Sequence, residues 1–176
     1  NKRPTIFMDT LRVIDIIEGT TVDGPGLRTS IYFAGCSHHC PGCHNAHTWD
    51  FESGSEMPIT SLTDIIDEAG FNVTFSGGDP LLQHNIEALT KLASHIKETG
   101  KTLWCYTGFR YEQLEKMPNL KLLLEHIDVL VDGAFEQDKR DINLLFRGSS
   151  NQRLINLNAT RNSHKVILWE DTACQH

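Results

Sequence analysis

The sequence predicts an α/β protein with a mostly parallel sheet, and three observations carry that prediction. Strand-like and helix-like apolar runs alternate from about residue 27 to residue 131. Three of the strand-like runs end in Gly-rich or polar loops, at 36–43, 77–80 and 107–108. The chain has 176 residues and 39% hydrophobic content. That supports one packed domain, and it falls short of the roughly 250 residues of a complete eight-fold βα barrel.

The elements follow in order. Residues 11–18 are β-branched and partly alternating, a strand. The loop 19–26 is Gly/Pro-rich and contains Asp23-Gly24-Pro25-Gly26. Residues 27–34 form the strand that delivers the cysteine loop, and 45–58 read as irregular. Ser61-x-x-Asp64 has the form of a capping box for a helix over 61–69, with Leu62, Ile65, Ile66 and Ala69 as its stripe and Gly70 as its stop. A strand over 72–76 runs into Gly77-Gly78-Asp79-Pro80. Asn85 caps a helix with the stripe Ile86, Leu89, Leu92, Ala93 and Ile96, ending at Gly100. Residues 102–106 form a strand, 111–125 a helix broken near Pro118, and 128–131 a strand ending in Asp132-Gly133. Apolar runs at 153–157 and 165–169 follow, and 171–176 reads as a tail. In a right-handed βα array the three loops share one sheet edge, the edge where open α/β sheets bind ligands.

Composition narrows the function. A net charge of −7 with no basic block argues against nucleic acid as partner. No apolar stretch is long enough for a transmembrane helix, and no signal peptide is visible. Of five cysteines, three are clustered, which predicts a reducing cytoplasm rather than a disulfide framework.

Cys36, Cys40 and Cys43 stand in a C-x3-C-x2-C run with no fourth cysteine nearby. Thiolates favour zinc or iron–sulfur clusters. A structural zinc site normally has four protein ligands, and His38, His39, His44 and His47 are within reach of this one. Three thiolates alone instead suit a cubane cluster with one iron left open. Gly77-Gly78 lets a ligand approach the backbone closely, or simply makes a tight turn. The stretch 23–28 lines a mouth or forms an ordinary turn. Asp132 caps a strand end or faces a ribose or a cation, and Asn151 and Gln152 bind partner backbone or brace the cysteine loop. Trp104 and Tyr106 face away from Cys105, a buried apolar thiol.

Cys36-x3-Cys40-x2-Cys43 followed by Gly77-Gly78-Asp79-Pro80 resembles the radical S-adenosylmethionine (SAM) superfamily. Asp23-Gly24-Pro25-Gly26-Leu27-Arg28 resembles the activating enzymes of glycyl-radical enzymes. Further motifs are Cys40-Pro-Gly-Cys-His-Asn45, Thr48-Trp49, Trp104-x-Tyr-Thr-Gly108, Val131-Asp-Gly-x-Phe135 and Arg147-Gly-Ser-Ser-Asn-Gln152. Together they are similar to the activases of anaerobic (class III) ribonucleoside-triphosphate reductase, over residues 12–153.

The resemblance implies a single radical SAM domain over 1–176, core 12–157, built as a compact, incomplete (βα) barrel with a curved sheet. It implies that Cys36, Cys40 and Cys43 ligate a [4Fe–4S] cluster whose fourth iron chelates SAM. Gly77, Gly78 and Asp79 would bind the methionine end of SAM, and the backbone of Gly42, Cys43 and His44 its adenosine. Gly42 departs from the superfamily, where an aromatic residue often precedes the third cysteine, and Asp79 stands where many relatives have Glu. The implied reaction is reductive cleavage of SAM to a 5′-deoxyadenosyl radical. That radical abstracts hydrogen from a glycine of the reductase, with a flavodoxin-like protein as electron donor. The alternatives are the activase of another glycyl-radical enzyme such as pyruvate formate-lyase, a zinc-binding module without catalysis, and a radical SAM enzyme acting on a small molecule.

Overall fold

The computed structural model describes residues 9–43 and 46–171. Four parallel strands form the centre: β2 (Arg28–Phe33), β4 (Asn72–Gly77), β5 (Leu103–Tyr106) and β6 (Val129–Asp132). Outside them β1 (Thr10–Thr20), β3 (Ser55–Pro58) and β7 (Arg153–Asn156) pair antiparallel with their neighbours. The seven make one open, curved sheet in the order β3-β1-β2-β4-β5-β6-β7.

The sheet is therefore parallel in three of its six pairings, fewer than the sequence predicts. A parallel neighbour needs a long crossover, and the flanks lack one. Only the loop 21–27 joins β1 to β2, and no α-helix lies between β6 and β7, so both turns reverse direction. The segment 45–58 is not wholly irregular either. Ser55–Pro58 is an edge strand with half-exposed or exposed side chains, so no apolar pattern marks it.

The helices are α1 (Ile59–Ala69), α2 (Ile86–Glu98), α3 (Tyr111–Leu114), α4 (Lys121–Glu125) and α5 (Leu157–Ser163). α1 begins two residues before the expected capping box. Pro58 occupies its N-cap and Ser61 lies within the first turn. Gly70 closes it in the left-handed region, donating to the Ile66 carbonyl. Asn85 caps α2 through Oδ1, 3.0 Å from the Ala88 nitrogen. The stretch 111–125 divides into α3, a 3-10 turn at Pro118–Leu120 and α4, because Pro118 has no N–H to continue a helix. The run 153–157 is a strand that passes directly into α5, capped by Asn156. The run 165–169 contributes an isolated bridge between Leu168 and Ile155 rather than a strand.

Alternation along the central strands divides the core. Ile31, Phe33, Val73, Phe75, Leu103, Cys105 and Leu130 face α1, α2 and α4, whose Leu62, Ile66, Leu89, Leu92, Ile96 and Leu123 complete that layer. On the opposite face Trp104, Val129 and Val131 pack with Tyr106, Phe146 and Trp169. The two indole rings meet edge to face at 5.0 Å. Trp104 and Tyr106 thus point away from the fully buried Cys105, as the period of two requires. With both faces covered, the parallel strands end at one edge, and their exit loops converge there.

Candidate functional site

At that edge a cavity of about 760 Å³ opens. Cys36, Cys40 and Cys43 line it from the β2 exit, Ser76, Gly77 and Gly78 from β4, and Tyr106, Thr107 and Gly108 from β5. Gly133 and Phe135 line it after β6, and Arg140, Arg147 and Gln152 from the segment before β7. The volume lies in the ordinary range for a small-molecule site, roughly 300–1,000 Å³.

The cysteine loop is rooted by backbone pairing. Gly35 N donates to Thr48 O (2.7 Å) and Cys36 N to Trp49 O (3.1 Å). The loop then turns tightly, with Cys43 N on Cys40 O at 3.1 Å. Burial raises the Cys36 thiol above its ordinary pKa, opposed by the backbone N–H groups of His38 and His39, which favour a thiolate. Burial raises Cys40 too, opposed by the Phe135 N–H, with Cys43 adding to the rise. Soft ligands held in a partly buried, amide-lined pocket suit a metal cofactor, which supplies the charge that makes thiolates stable. Among the described residues, no group of three or more His, Cys, Asp or Glu is arranged to hold a single metal ion. A cubane brings its own irons and sulfides between the thiolates, so it asks for thiols spaced around a cavity, as here.

Gly77 and Gly78 serve the packing of this edge as well as the cavity. Gly77 has φ +103°, and a Cβ there would lie 2.4 Å from the Phe33 nitrogen. A Cβ on Gly78 would lie 2.4 Å from the Gly35 carbonyl oxygen. Side-chain-free backbone at both positions lets the β4 exit press against the root of the cysteine loop. Gly78 N donates to Phe33 O and Asp79 N to Gly35 O, both at 2.8 Å.

Asp79 is 1% exposed and does not itself line the cavity, although its carboxylate is bonded to three residues that do. It meets His38 Nε2 at 2.7 Å and accepts from Thr107 Oγ1, Gly108 N and Leu81 N at 2.9–3.0 Å. Gly42 sits in an exposed turn beside Gln137 and Phe135, outside the cavity lining. His44 lies outside the described residues, as does Cys174 with residues 172–176. His39 stacks on Trp49 at 4.7 Å, and His47 is exposed.

Asp23 is at the cavity wall. Its carboxylate accepts from Tyr32 Oη at 2.6 Å, and its carbonyl accepts from Thr74 Oγ1 at 2.8 Å. The same loop is tied by Arg28, which is 1% exposed and, among the described residues, has no carboxylate on its guanidinium. It donates to Thr74 Oγ1 and to the Val73, Thr102 and Pro25 carbonyls, under the face of Trp104. Burial lowers it to about 10. Asp132 is a brace, accepting from Tyr111 N and paired with Arg153. Asn151 donates to Ala134 O and Gln152 to Gly133 O, which bolts the 147–152 turn to the β6 exit. Tyr32 and Arg140 carried no signal in the sequence as cavity residues. Tyr106, Phe135 and Arg147 stand in motifs of the family resemblance, which assigned them no role in the cavity.

The family model described as a 4Fe-4S single cluster domain matches residues 22–155, a span that holds the cysteine loop and the central strands. The chain therefore carries a 4Fe-4S single cluster domain, the class of an iron–sulfur protein. The anaerobic ribonucleoside-triphosphate reductase-activating protein of Escherichia coli K12 is 37% identical over 139 residues, covering 74% of this chain and 89% of that one. The protein of the same name from Enterobacteria phage T4 is 33% identical, covering 76% and 86%. This chain belongs to the anaerobic ribonucleoside-triphosphate reductase-activating protein family. Among solved structures, QueE from Escherichia coli aligns at TM-score 0.46 and 17% identity, over 61% of this chain and 57% of that one.

Proposed function

We propose that this chain is the glycyl-radical activase of an anaerobic ribonucleoside-triphosphate reductase, a radical SAM oxidoreductase working from an incomplete βα barrel. The observation that carries the reading is one cavity lined by all three clustered cysteines and by the Gly77–Gly78 turn. Cys36, Cys40 and Cys43 would hold the [4Fe–4S] cluster. The Ser76–Gly78 backbone would bind the amino-acid end of SAM, and the Cys43 backbone would lie towards its adenosine. When bound, these cofactors would supply the one-electron reductive cleavage of SAM and, from it, the removal of a hydrogen atom from a glycine Cα of the reductase.

The residues of the chain bind, orient and keep water out. Burial of Cys36 and the amide groups around it dispose the loop for a charged cofactor. Arg140 and Arg147 line the cavity together with Asp23 and Asp141, and their guanidinium groups could pair with the SAM carboxylate. The aromatic cluster under the cavity closes it from below. A reducing cytoplasm and a flavodoxin-like donor complete the proposal. No described helix is long and apolar enough to cross a membrane.

Anaerobic purification followed by iron and sulfide analysis, an absorption spectrum and product analysis tests this directly. The expected result is a brown protein with about four irons per chain, releasing 5′-deoxyadenosine on adding dithionite and SAM, and forming a glycyl radical on adding the reductase. A colourless, zinc-loaded protein that takes up no iron on reconstitution would overturn it.

A further inference from the structure

Asp79 carries four side-chain hydrogen bonds at the site edge, yet it does not line the cavity. A carboxylate 1% exposed normally needs a cation or several donors. Here four donors from three separate loops converge on it. Leu81 N comes from its own turn, Thr107 Oγ1 and Gly108 N from the β5 exit, and His38 Nε2 from the cysteine loop.

His38 lies between the first two cysteines, and its ring is confined on three sides. Asp79 Oδ2 holds Nε2 at 2.7 Å. The Phe109 ring meets it edge to face, with centroids 4.7 Å apart. Gly108 forms the third side: a Cβ there would lie 2.5 Å from His38 Cδ2. The space that glycine leaves is the space the imidazole fills. The backbone N–H of the same residue faces the Cys36 sulfur, so fixing the ring fixes an amide aimed at a proposed ligand. Partners of this kind orient metal ligands, and hydrogen bonds to sulfur tune a cluster.

We infer that Asp79, Gly108 and Phe109 form a slot for the His38 ring that holds the cysteine loop in ligating shape, making Asp79 and His38 positioning residues rather than contacts of SAM. This rests on the cluster reading of Cys36, Cys40 and Cys43. It also gives the Asp of the Gly-Gly-Asp-Pro stretch its own task. The two glycines press the β4 exit onto Gly35, and the carboxylate beside them grips the loop two residues past Cys36.

The test is a mutant cycle on the full chain: His38→Ala, Gly108→Ala, the double variant, and His38→Gln, whose amide N–H can still reach Asp79. Each is reconstituted anaerobically with limiting iron and sulfide. Bound iron, the electron paramagnetic resonance signal of the reduced cluster and the melting temperature of the apo-protein are recorded. Gly108 has no positive φ, so alanine costs the backbone little, and the three atoms nearest its methyl all belong to the His38 ring. His38→Ala and Gly108→Ala are each expected to weaken cluster binding by about 10-fold or more and to alter the resonance signal. Apo melting temperatures should stay within a few degrees of the parent. His38→Gln should recover most of the binding. The double variant should be no worse than His38→Ala, because without the ring the methyl at 108 has nothing to displace. Single variants that bind cluster like the parent, or losses that add in the double variant, would overturn the slot while leaving the cluster reading intact. A parent chain that takes up no iron would overturn both.

Discussion

Gly77 joins the residue scale to function most directly. Its φ of +103° and the backbone 2.4 Å from a would-be Cβ leave no room for a side chain. Gly77→Ala should cost about 2 kcal/mol or more in strain, lowering the melting temperature by about 4–8 °C. Thermal unfolding of the apo-protein checks this, and an unshifted melting temperature would mean the β4 exit can retreat from β2. Both glycines were legible because few residue types tolerate such positions. So was the meeting of Cys36, Cys40 and Cys43 at one cavity, since three thiols within eight residues at a strand exit have little room to part. The His38–Asp79 bond was not, because its partners are 41 residues apart and each has many other uses. Arg28 shows the same limit. Its burial follows from Thr74, Trp104 and carbonyls on other strands, none of them marked in its own neighbourhood.

At the scale of elements, α3 is fastened to the sheet by charge. Arg153 on β7 meets Glu112 on α3 at 2.7 Å and also holds Asp132 at the end of β6. The hydrogen bond from Arg153 holds the Glu112 carboxyl down to about 2, against an ordinary value of 4.5. A carboxyl with a depressed folded-state pKa contributes its stability above the unfolded value and loses it as pH falls toward the folded one. The melting temperature of the apo-protein should therefore drop between about pH 4.5 and 2, and drop less steeply in Glu112→Gln. The effect should be modest, because Glu112 is half exposed. Parallel slopes in the two proteins would remove Glu112 from the account. Strong periodicity made α2 and the central strands legible. β3 and α5 were hidden for separate reasons. One is an edge strand without apolar alternation, and the other follows β7 with no turn between them. The β7–α5 boundary did carry a signal in Asn156, whose side chain accepts from Ala159 N at 3.0 Å.

On the scale of the whole molecule, two loops from opposite ends of the chain frame the cavity mouth. Thr21 and Val22 stand on one side, and Ile142 and Leu145 on the other. Val22 is 67% exposed and Ile142 83%, in a protein whose other apolar side chains mostly pack inside. Scattered exposed apolar residues need no explanation, but these line the same cavity as the three clustered cysteines. On the proposed function, a glycine Cα of the reductase enters the cavity past this rim. The segment carrying that glycine must therefore shed water against these side chains. A carboxylate at the outermost position would oppose that contact without touching the cysteine loop. Ile142→Asp should raise the reductase concentration for half-maximal glycyl-radical formation about 10-fold, equivalent to about 1.4 kcal/mol of lost contact. Iron content and apo melting temperature should stay at parental values. Equal half-maximal concentrations in the two proteins would place the docking contact elsewhere on the surface. A loss of iron in the variant would instead show that the 138–148 segment supports the cofactor site itself.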